Sequence, residues 1–250
     1  MNVYDYARYY EIAFGFRDFK KEVDFFEASI RKFSGVEVRS VFELAAGTCS
    51  YLKEWHRRGY RYFGLEANRK MIAYSRQRAK ELKADLTLFR ADMKRFALRS
   101  HKFDLAYVLV GSLFVRSNTE FLTHLDSVAK VLRRGSLYLL DGVVRFNIFA
   151  TYEERWTMKR EGIAVRTTYR PELLDPLQQS CVDDITLEIN DHGKKLSLES
   201  RLARKAFFPQ EMLMLVRAHK RFEFVGWFTD FNLHKPKSAS GRPIVILRKR

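Results

Sequence analysis

The chain has 250 residues, which is enough for one large α/β domain or one domain with an inserted subdomain. Of these residues 46% are hydrophobic and 30% charged, a balance that excludes a disordered protein. No apolar run reaches the ~18 residues that a membrane-spanning helix needs, so we expect no membrane partner. The formal net charge of +16 leaves a nucleic-acid partner open, but the cations are spread over nearly every segment, and an acidic small substrate or simple solubility is favoured.

The first 35 residues are predicted to be helical, because apolar side chains recur at helical spacing: Phe19, Val23, Phe26 and Ile30. Strand-like and helix-like runs then alternate, which is typical of a parallel sheet. The predicted strands are VRSVFELA, YRYFGLEA, LTLFRADM, FDLAYVLVG and SLYLLDGVV. The helices between them are SYLKEWHRRG, RKMIAYSRQRAKEL and TEFLTHLDSVAKVLRRG, the last ending at Gly135.

The pattern changes after about Arg145. Residues 160–206 contain alternating β-like runs, and Asp191-His192-Gly193 is predicted to be a hairpin turn between two of them. A helix beginning at Pro209 and two final strands, FEFVGWFTDF and PIVILRKR, follow. We therefore predict an N-terminal helical cap (1–35), an α/β core (36–145), an antiparallel insertion that forms a substrate lid or an oligomer interface (146–208), and a segment that completes the core sheet (209–250).

Acidic residues stand at the ends of the first three strands. Glu43 begins a tight loop of small residues, Ala45 to Thr48, where a doubly wound sheet binds its ligand. Glu66, roughly 20 residues further on, is placed to accept hydrogen bonds from ribose hydroxyls. Asp92 could accept from an adenine amino group, with Met93 against the ring. Strands often end in acidic residues, and Asp92 could instead be a helix N-cap, but the order and spacing favour a nucleotide-like cofactor.

These segments resemble the motifs of class I (Rossmann-like) S-adenosylmethionine-dependent methyltransferases. ELAAGTC is similar to their first motif, GLEANRKMI to the second, and RADMKRF with KFDLAYVLVGSLF to the third and fourth. The resemblance implies a Rossmann-like doubly wound, mostly parallel seven-stranded sheet with an antiparallel insertion after strand five. It also implies S-adenosyl-L-methionine as cofactor, S-adenosyl-L-homocysteine as product, and further cofactor contacts at Ala67, Met71 and Leu109.

A narrower resemblance joins YARYYEIAF, ARKAFFPQEM and SGRPIVILRK to the sugar-amine N,N-dimethyltransferases and their glycine N-methyltransferase-like relatives. In that group an N-terminal tyrosine and nearby basic residues close over the methionine end of the cofactor. The resemblance therefore implies cofactor contacts at Tyr10 and Arg17, although the N-terminal tyrosines could instead be packing aromatics.

One residue departs from the first motif: Cys49 stands where the second glycine is expected. A thiol is small enough to be tolerated if φ stays negative there. A reactive cysteine needs a neighbouring base or cation that the sequence does not show, so the structural interpretation is favoured.

The acceptor site is expected at the carboxyl edge of the sheet. Asp141, at the end of the fifth strand, is a candidate base or orienting group. Candidate acceptor-binding residues are Ser112, Phe114 and Arg145; Arg145 could pair with a carboxylate or phosphate, or lie on the surface. The histidines are not assigned catalytic roles: we place His124 on the outer face of a helix, His192 in the hairpin turn and His101 in a loop.

The resulting hypothesis is a methyltransferase that acts on N or O of a small-molecule acceptor by in-line displacement. An RNA or protein methyltransferase and a non-catalytic cofactor-binding module stay open as alternatives. The fourth-strand segment lacks the D/N-P-P-Y/F motif of enzymes that methylate amino groups of bases or glutamine, which disfavours both the nucleic-acid and the protein acceptor. Two cysteines without metal spacing predict no metal site and a reducing, cytoplasmic location, and a homodimer is left open.

Overall fold

The computed structural model describes residues 1–98, 100–145, 152–234, 236 and 241–250. The six α-helices within this part are α1 (Ala7–Ala13), α2 (Phe19–Phe33), α3 (Leu52–Arg57), α4 (Arg69–Leu82), α5 (Asn118–Val131) and α6 (Pro209–His219). The first five strands are β1 (Ser40–Leu44), β2 (Arg61–Glu66), β3 (Leu86–Arg90), β4 (Phe103–Val108) and β5 (Leu132–Asp141). The remaining six are β6 (Glu154–Arg160), β7 (Ile163–Asp175), β8 (Ser180–Asp191), β9 (Lys194–Lys205), β10 (Phe222–Thr229) and β11 (Pro243–Lys249).

Seven strands form one sheet in the order β10-β11-β5-β4-β1-β2-β3. Strands β1 to β5 pair in parallel, whereas β11 is antiparallel to both β5 and β10. Every residue of β1 and β4 is buried, as expected for central strands covered by helices on both faces. The predicted α/β fold class, with its mostly parallel seven-stranded sheet, is confirmed.

Two large apolar clusters lie on opposite faces of this sheet. One includes Phe121 and Val128 of α5 and Met212 of α6, and the other includes Phe26 of α2 and Trp55 of α3. The helices therefore cover both faces and leave the two edges of the sheet to carry loops.

A second, antiparallel sheet of four strands, β6-β7-β8-β9, follows β5. The predicted turn between β8 and β9 is confirmed: His192 and Gly193 have φ of 50° and 89°, as a two-residue hairpin turn requires, and Asp191 pairs with Lys194. An apolar cluster joins this sheet to α1, through Ile12 and Ala13 on the helix and Val165 and Leu187 on the strands. The predicted insertion began at residue 146, but residues 146–151 lie outside the described part, and the domain boundaries stay predictions.

Two predicted elements differ from the structure. The N-terminal region predicted to be helical is interrupted, since α1 ends at Ala13 and α2 begins at Phe19 after an Asp18 cap whose carboxylate accepts from the Lys21 amide at 3.0 Å. The helix predicted to end at Gly135 ends at Val131, and Leu132 already pairs with Phe103 as the first residue of β5. Sequence periodicity did not reveal this boundary, because LRRG carries no helix-breaking residue before Gly135.

Candidate functional site

In the loop after β1, every second residue has a left-handed backbone conformation. Ala45, Gly47 and Cys49 all have positive φ, of 52°, 52° and 51°. The condition of a negative φ, under which a thiol would be tolerated, is therefore not met: Cys49 adopts the left-handed conformation that a glycine would adopt there. For a residue with a Cβ, this conformation costs about 1 kcal/mol.

The Cys49 thiol is fully buried inside the loop. Burial raises the pKa of this thiol to about 12, so it is a neutral thiol at physiological pH. A nucleophilic or redox cysteine needs the thiolate, and this environment suppresses it. The geometry favours the structural interpretation of Cys49.

The loop is tied to the end of β2 by Glu66. One carboxylate oxygen accepts from the backbone N–H of Gly47 at 2.8 Å, and the other accepts from the backbone N–H of Asn68 at 2.8 Å. A carboxylate has about four acceptor positions, so Glu66 keeps capacity for two hydroxyl groups while it fixes both backbones. Its predicted role as ribose acceptor stays a prediction that this arrangement supports.

Glu43, at the end of β1, is buried beneath two tyrosines. The hydroxyl of Tyr62 donates to its carboxylate, and that of Tyr107 donates at 3.2 Å. Burial raises the pKa of Glu43 to about 8, opposed by these hydrogen bonds and by the charge of Arg17. Glu43 therefore holds its proton at neutral pH in this structure.

The N-terminal helices supply the residues opposite the loop. A methyl group placed on Gly47 would lie 3.9 Å from a ring carbon of Tyr10. Arg17 forms a buried ion pair with Glu22, with Nε donating to Oε1 at 3.1 Å, and it also contacts the hydroxyl of Tyr51. Tyr10 and Arg17 thus lie beside the loop, as expected for the two residues, and their roles stay predictions.

The adenine-side candidates lie around the ends of β2 and β3. The Asp92 carboxylate is largely exposed and accepts from the Lys94 amide at 2.8 Å, an arrangement that leaves it accessible to a ligand. Met71 is buried and Ala67 is exposed. The carbonyl oxygen of Met93 accepts from Nδ1 of His124 at 2.7 Å.

The prediction that His124 lies on the outer face of its helix is therefore wrong, because its side chain is completely buried. Its Nε2 accepts from the hydroxyl of Tyr138 at 2.6 Å, and burial lowers its pKa to about 4. The neutral ring joins β5 to the loop after β3. Its two partners lie 14 and 31 residues away in the chain, so helical periodicity could not reveal them.

Two adjoining cavities open at the carboxyl edge of the sheet. The smaller, of about 40 Å³, is lined by the β1 loop together with Glu43, Arg17, Tyr51 and Leu109. The larger is a cleft of about 1070 Å³ that reaches the second sheet. Four residues line both cavities: Tyr10, Phe14, Val110 and Ser112.

The predicted acceptor residues Ser112, Phe114 and Arg145 all line the larger cleft. Arg145 is not a surface residue: its side chain is 10% exposed and donates to Asp183 at 2.9 Å and to the Tyr169 hydroxyl at 3.1 Å.

Arg204, 4% exposed, shares the same carboxylate at 2.6 Å. Sequence reasoning missed Asp183 and Arg204, because only the packing of the second sheet brings them beside Arg145.

Asp141 lies behind the wall of the cleft. Its side chain is fully buried, one oxygen accepts from the Val110 amide at 2.8 Å, and Arg242 forms an ion pair with it. These contacts fix the Val110–Ser112 turn that lines both cavities. A role as base stays a prediction; the contacts favour a positioning role.

Neither a metal cluster nor a membrane-spanning helix occurs among the described residues. No three or more His, Cys, Asp or Glu side chains in this part are grouped to hold a metal ion. The helices listed above are also too short or too polar to cross a bilayer.

Comparison with known proteins agrees with the fold. Residues 41–135 match the family model described as a methyltransferase domain. No curated protein sequence matched the chain.

Among solved structures, the chain is similar to an S-adenosylmethionine-dependent methyltransferase from Clostridium acetobutylicum, with a TM-score of 0.79 and 12% identity over 97% of this chain and 96% of that one. It is also similar to DesVI of Streptomyces venezuelae, with a TM-score of 0.77 and 19% identity over 98% of each chain. The sugar N-methyltransferase KedS8 from Streptoalloteichus gives a TM-score of 0.75 and 19% identity over 100% of this chain and 93% of that one.

Proposed function

We propose that this chain, an enzyme that carries a methyltransferase domain in a Rossmann-like fold, transfers the methyl group of S-adenosyl-L-methionine to an amine of a small-molecule acceptor. The observation that carries the proposal is the pair of adjoining cavities. The small cavity beside the β1 loop suits the methionine end of the cofactor, and the large cleft suits the acceptor. The residues that line both cavities mark where the methyl group would pass between them.

The cofactor assignment rests on the ends of three neighbouring strands. Glu66 would accept from the ribose, and Asp92 from the adenine amino group. Glu43 and Gly47 would lie beside the methionine portion, with Tyr10 above the loop. S-adenosyl-L-methionine supplies an activated methyl group on a sulfonium, so these residues need only align the donor and exclude water.

The cleft offers no effective general base among its described lining residues, and this favours an amine acceptor over a hydroxyl acceptor. A hydroxyl usually needs a general base, whereas a neutral amine does not. Burial raises the pKa of Tyr10 to about 12 and also raises that of Tyr169, so neither is an effective base near neutrality. Asp183 is engaged by two arginines, and Glu154, the other carboxylate among the described lining residues, is exposed. The sugar N-methyltransferase KedS8, which is among the similar structures, supports the same choice.

The two cysteines support a reducing compartment. Both are free thiols and both are buried, which agrees with a cytoplasmic enzyme. This location is part of the proposal.

The test has two stages. Calorimetry with S-adenosyl-L-homocysteine should give saturable one-site binding, and absence of binding at millimolar ligand would overturn the proposal. A panel of amino sugars and their hydroxyl counterparts is then assayed for S-adenosyl-L-homocysteine release with S-adenosyl-L-methionine as donor. Turnover with amines alone is expected, and turnover with the hydroxyl compounds alone would contradict the amine assignment.

A further inference from the structure

A row of cations lines the edge of the main sheet opposite the two cavities. Six adjacent strands from β10 to β2 each place a Lys or Arg at or next to their end on this edge. We call this set the basic edge: Arg221, Lys249, Arg133, Arg134, Lys102, Arg39 and Arg61. Strands lie about 4.8 Å apart, so five intervals make a row about 24 Å long.

The register shows that these residues are neighbours in space. Phe222, next to Arg221, pairs with Lys249, and Phe103, next to Lys102, pairs with Leu132. At the other end of the row, Arg39, Arg61 and Arg133 line one cavity of about 400 Å³.

The row is only partly neutralised. Glu37 pairs with Arg39 at 2.9 Å, Asp104 with Arg133 at 3.1 Å, and Asp126 with Arg221 at 3.4 Å. Within the described part of the chain, the other four cations make no ion pair with a carboxylate side chain: Arg61, Lys102, Arg134 and Lys249.

Burial and the neighbouring cations both act on Lys249. Burial, and then the charges of Arg221, Lys102 and Arg134, lower the pKa of Lys249 below its usual range. A surface that concentrates like charge in this way is relieved when an anion with several charges binds it.

We propose that the basic edge binds the phosphate backbone of a nucleic acid. A row of about 24 Å spans about seven base-pair steps of a duplex, at about 3.4 Å per step along the helix axis. The four cations without a carboxylate side-chain partner supply the contacts, and nothing in the row reads bases. Two of them also donate to backbone oxygens, Lys102 to that of Lys130 at 2.5 Å and Lys249 to that of Arg250 at 2.6 Å, and phosphate contacts would replace these bonds. The edge lies across the sheet from the cleft, so the nucleic acid is a docking partner and is not the methyl acceptor.

An anionic membrane is the less suitable partner for this surface. Binding at a lipid surface gains from apolar side chains that enter the bilayer interface. The exposed large hydrophobic residues of the described chain are Met1, Phe16, Tyr152, Leu174, Leu177 and Met214, and none belongs to the basic edge.

Fluorescence anisotropy with a labelled 20-base-pair duplex and a 20-nucleotide RNA, both of mixed sequence, tests the proposal. Four phosphate contacts predict a log–log salt slope of about −3.6 for the duplex and about −2.8 for the single strand. Lys102→Glu, Arg134→Glu and Lys249→Glu, combined in one variant, should weaken binding by ~30-fold or more at 0.1 M salt.

The matched control changes net charge equally on the second sheet: Lys159→Glu, Lys194→Glu and Lys195→Glu, all exposed. It should bind nucleic acid within about threefold of the parent, as expected when no phosphate contact is lost. Unchanged binding of S-adenosyl-L-homocysteine and an unchanged Tm show that both variants fold. Equal loss in the two variants, no binding at 50 mM salt, or binding to phosphatidylserine vesicles without binding to either nucleic acid would each overturn the proposal.

Discussion

The backbone N–H of Gly47 donates a 2.8 Å hydrogen bond to the carboxylate of Glu66, which joins the β1 loop to the end of β2. The same carboxylate accepts from the Asn68 amide. The residue proposed to hold the ribose therefore also sets the backbone of the loop proposed to hold the methionine portion. Glu66 would therefore couple the two halves of the proposed cofactor site.

Glu66→Ala should lose both functions. We expect cofactor affinity to fall by about 10- to 100-fold, which is about 1.4–2.7 kcal/mol, the range of a charge-assisted hydrogen-bond pair. Calorimetry with S-adenosyl-L-homocysteine measures this. Glu81→Ala, an exposed carboxylate on α4, is the matched control and should bind like the parent. An unchanged affinity in Glu66→Ala would place the ribose elsewhere.

Glu43 should make stability fall as pH rises. Its pKa is raised from 4.5 to about 8 by burial, so between these values the folded chain keeps a proton that the unfolded chain has released. The unfolding free energy of the parent should therefore decrease relative to Glu43→Gln by up to about 1.4 kcal/mol per pH unit within that window. Urea titrations from pH 5 to 9 give both curves, and parallel curves would contradict the buried neutral carboxyl.

His124 should act in the opposite sense and at lower pH. Burial lowers its pKa from 6.5 to about 4, so the unfolded chain binds the extra proton between these values and the folded state loses stability as pH falls. His124→Phe leaves Met93 and Tyr138 without their partner and should lower stability by about 2 kcal/mol at pH 7.5. The same titrations should show that this deficit shrinks toward pH 4.5. A constant deficit would mean that His124 does not titrate in this way.

Two substitutions of Cys49 that both remove the thiol can be compared to test the backbone strain at this position. Gly adopts positive φ without a Cβ penalty, so Cys49→Gly should be more stable than Cys49→Ala by about 1 kcal/mol, although both remove the thiol. Chemical denaturation compares the two variants. The reverse order would show that φ at residue 49 is negative in solution.

The thiols provide an independent check of the buried loop. Because Cys49 and Cys181 are both buried, the native protein should react slowly with Ellman's reagent, and the denatured protein should release two equivalents. With a pKa of about 12, Cys49 is almost entirely thiol at pH 7, and its thiolate fraction rises about tenfold for each pH unit. Its reaction should therefore stay slow and should still be rising at pH 9, without the plateau that a low-pKa cysteine would show. A fast equivalent from Cys49 in the native protein, identified by mass spectrometry, would restore the reactive-cysteine interpretation.

The site residues that could be predicted from the sequence are those that follow from local patterns and from the parallel order of the strands. Glu43, Glu66 and Asp92 lie at or just beyond the ends of β1, β2 and β3. The carboxyl ends of parallel strands meet at one edge, so chain order alone places them there. Arg145 was placed near the cleft for the same reason. Asp183 and Arg204 could not be found, because their contact with Arg145 depends on how the second sheet packs. The burial of His124 likewise depends on Tyr138 and Met93, and the conformation of Cys49 on the hydrogen-bonded loop around it.

The short helix α1 and the residue that follows it line both cavities. Tyr10 and Phe14, four residues apart, each line both cavities. The helix is fastened to the second sheet, because Trp156 donates to the Ala13 carbonyl at 2.7 Å and Arg160 pairs with Glu11 at 2.6 Å. An outward movement of α1 would therefore open the donor and acceptor spaces together. Spent cofactor and methylated product would then leave in the same opening event, which links the exchange of one molecule to that of the other in each catalytic cycle.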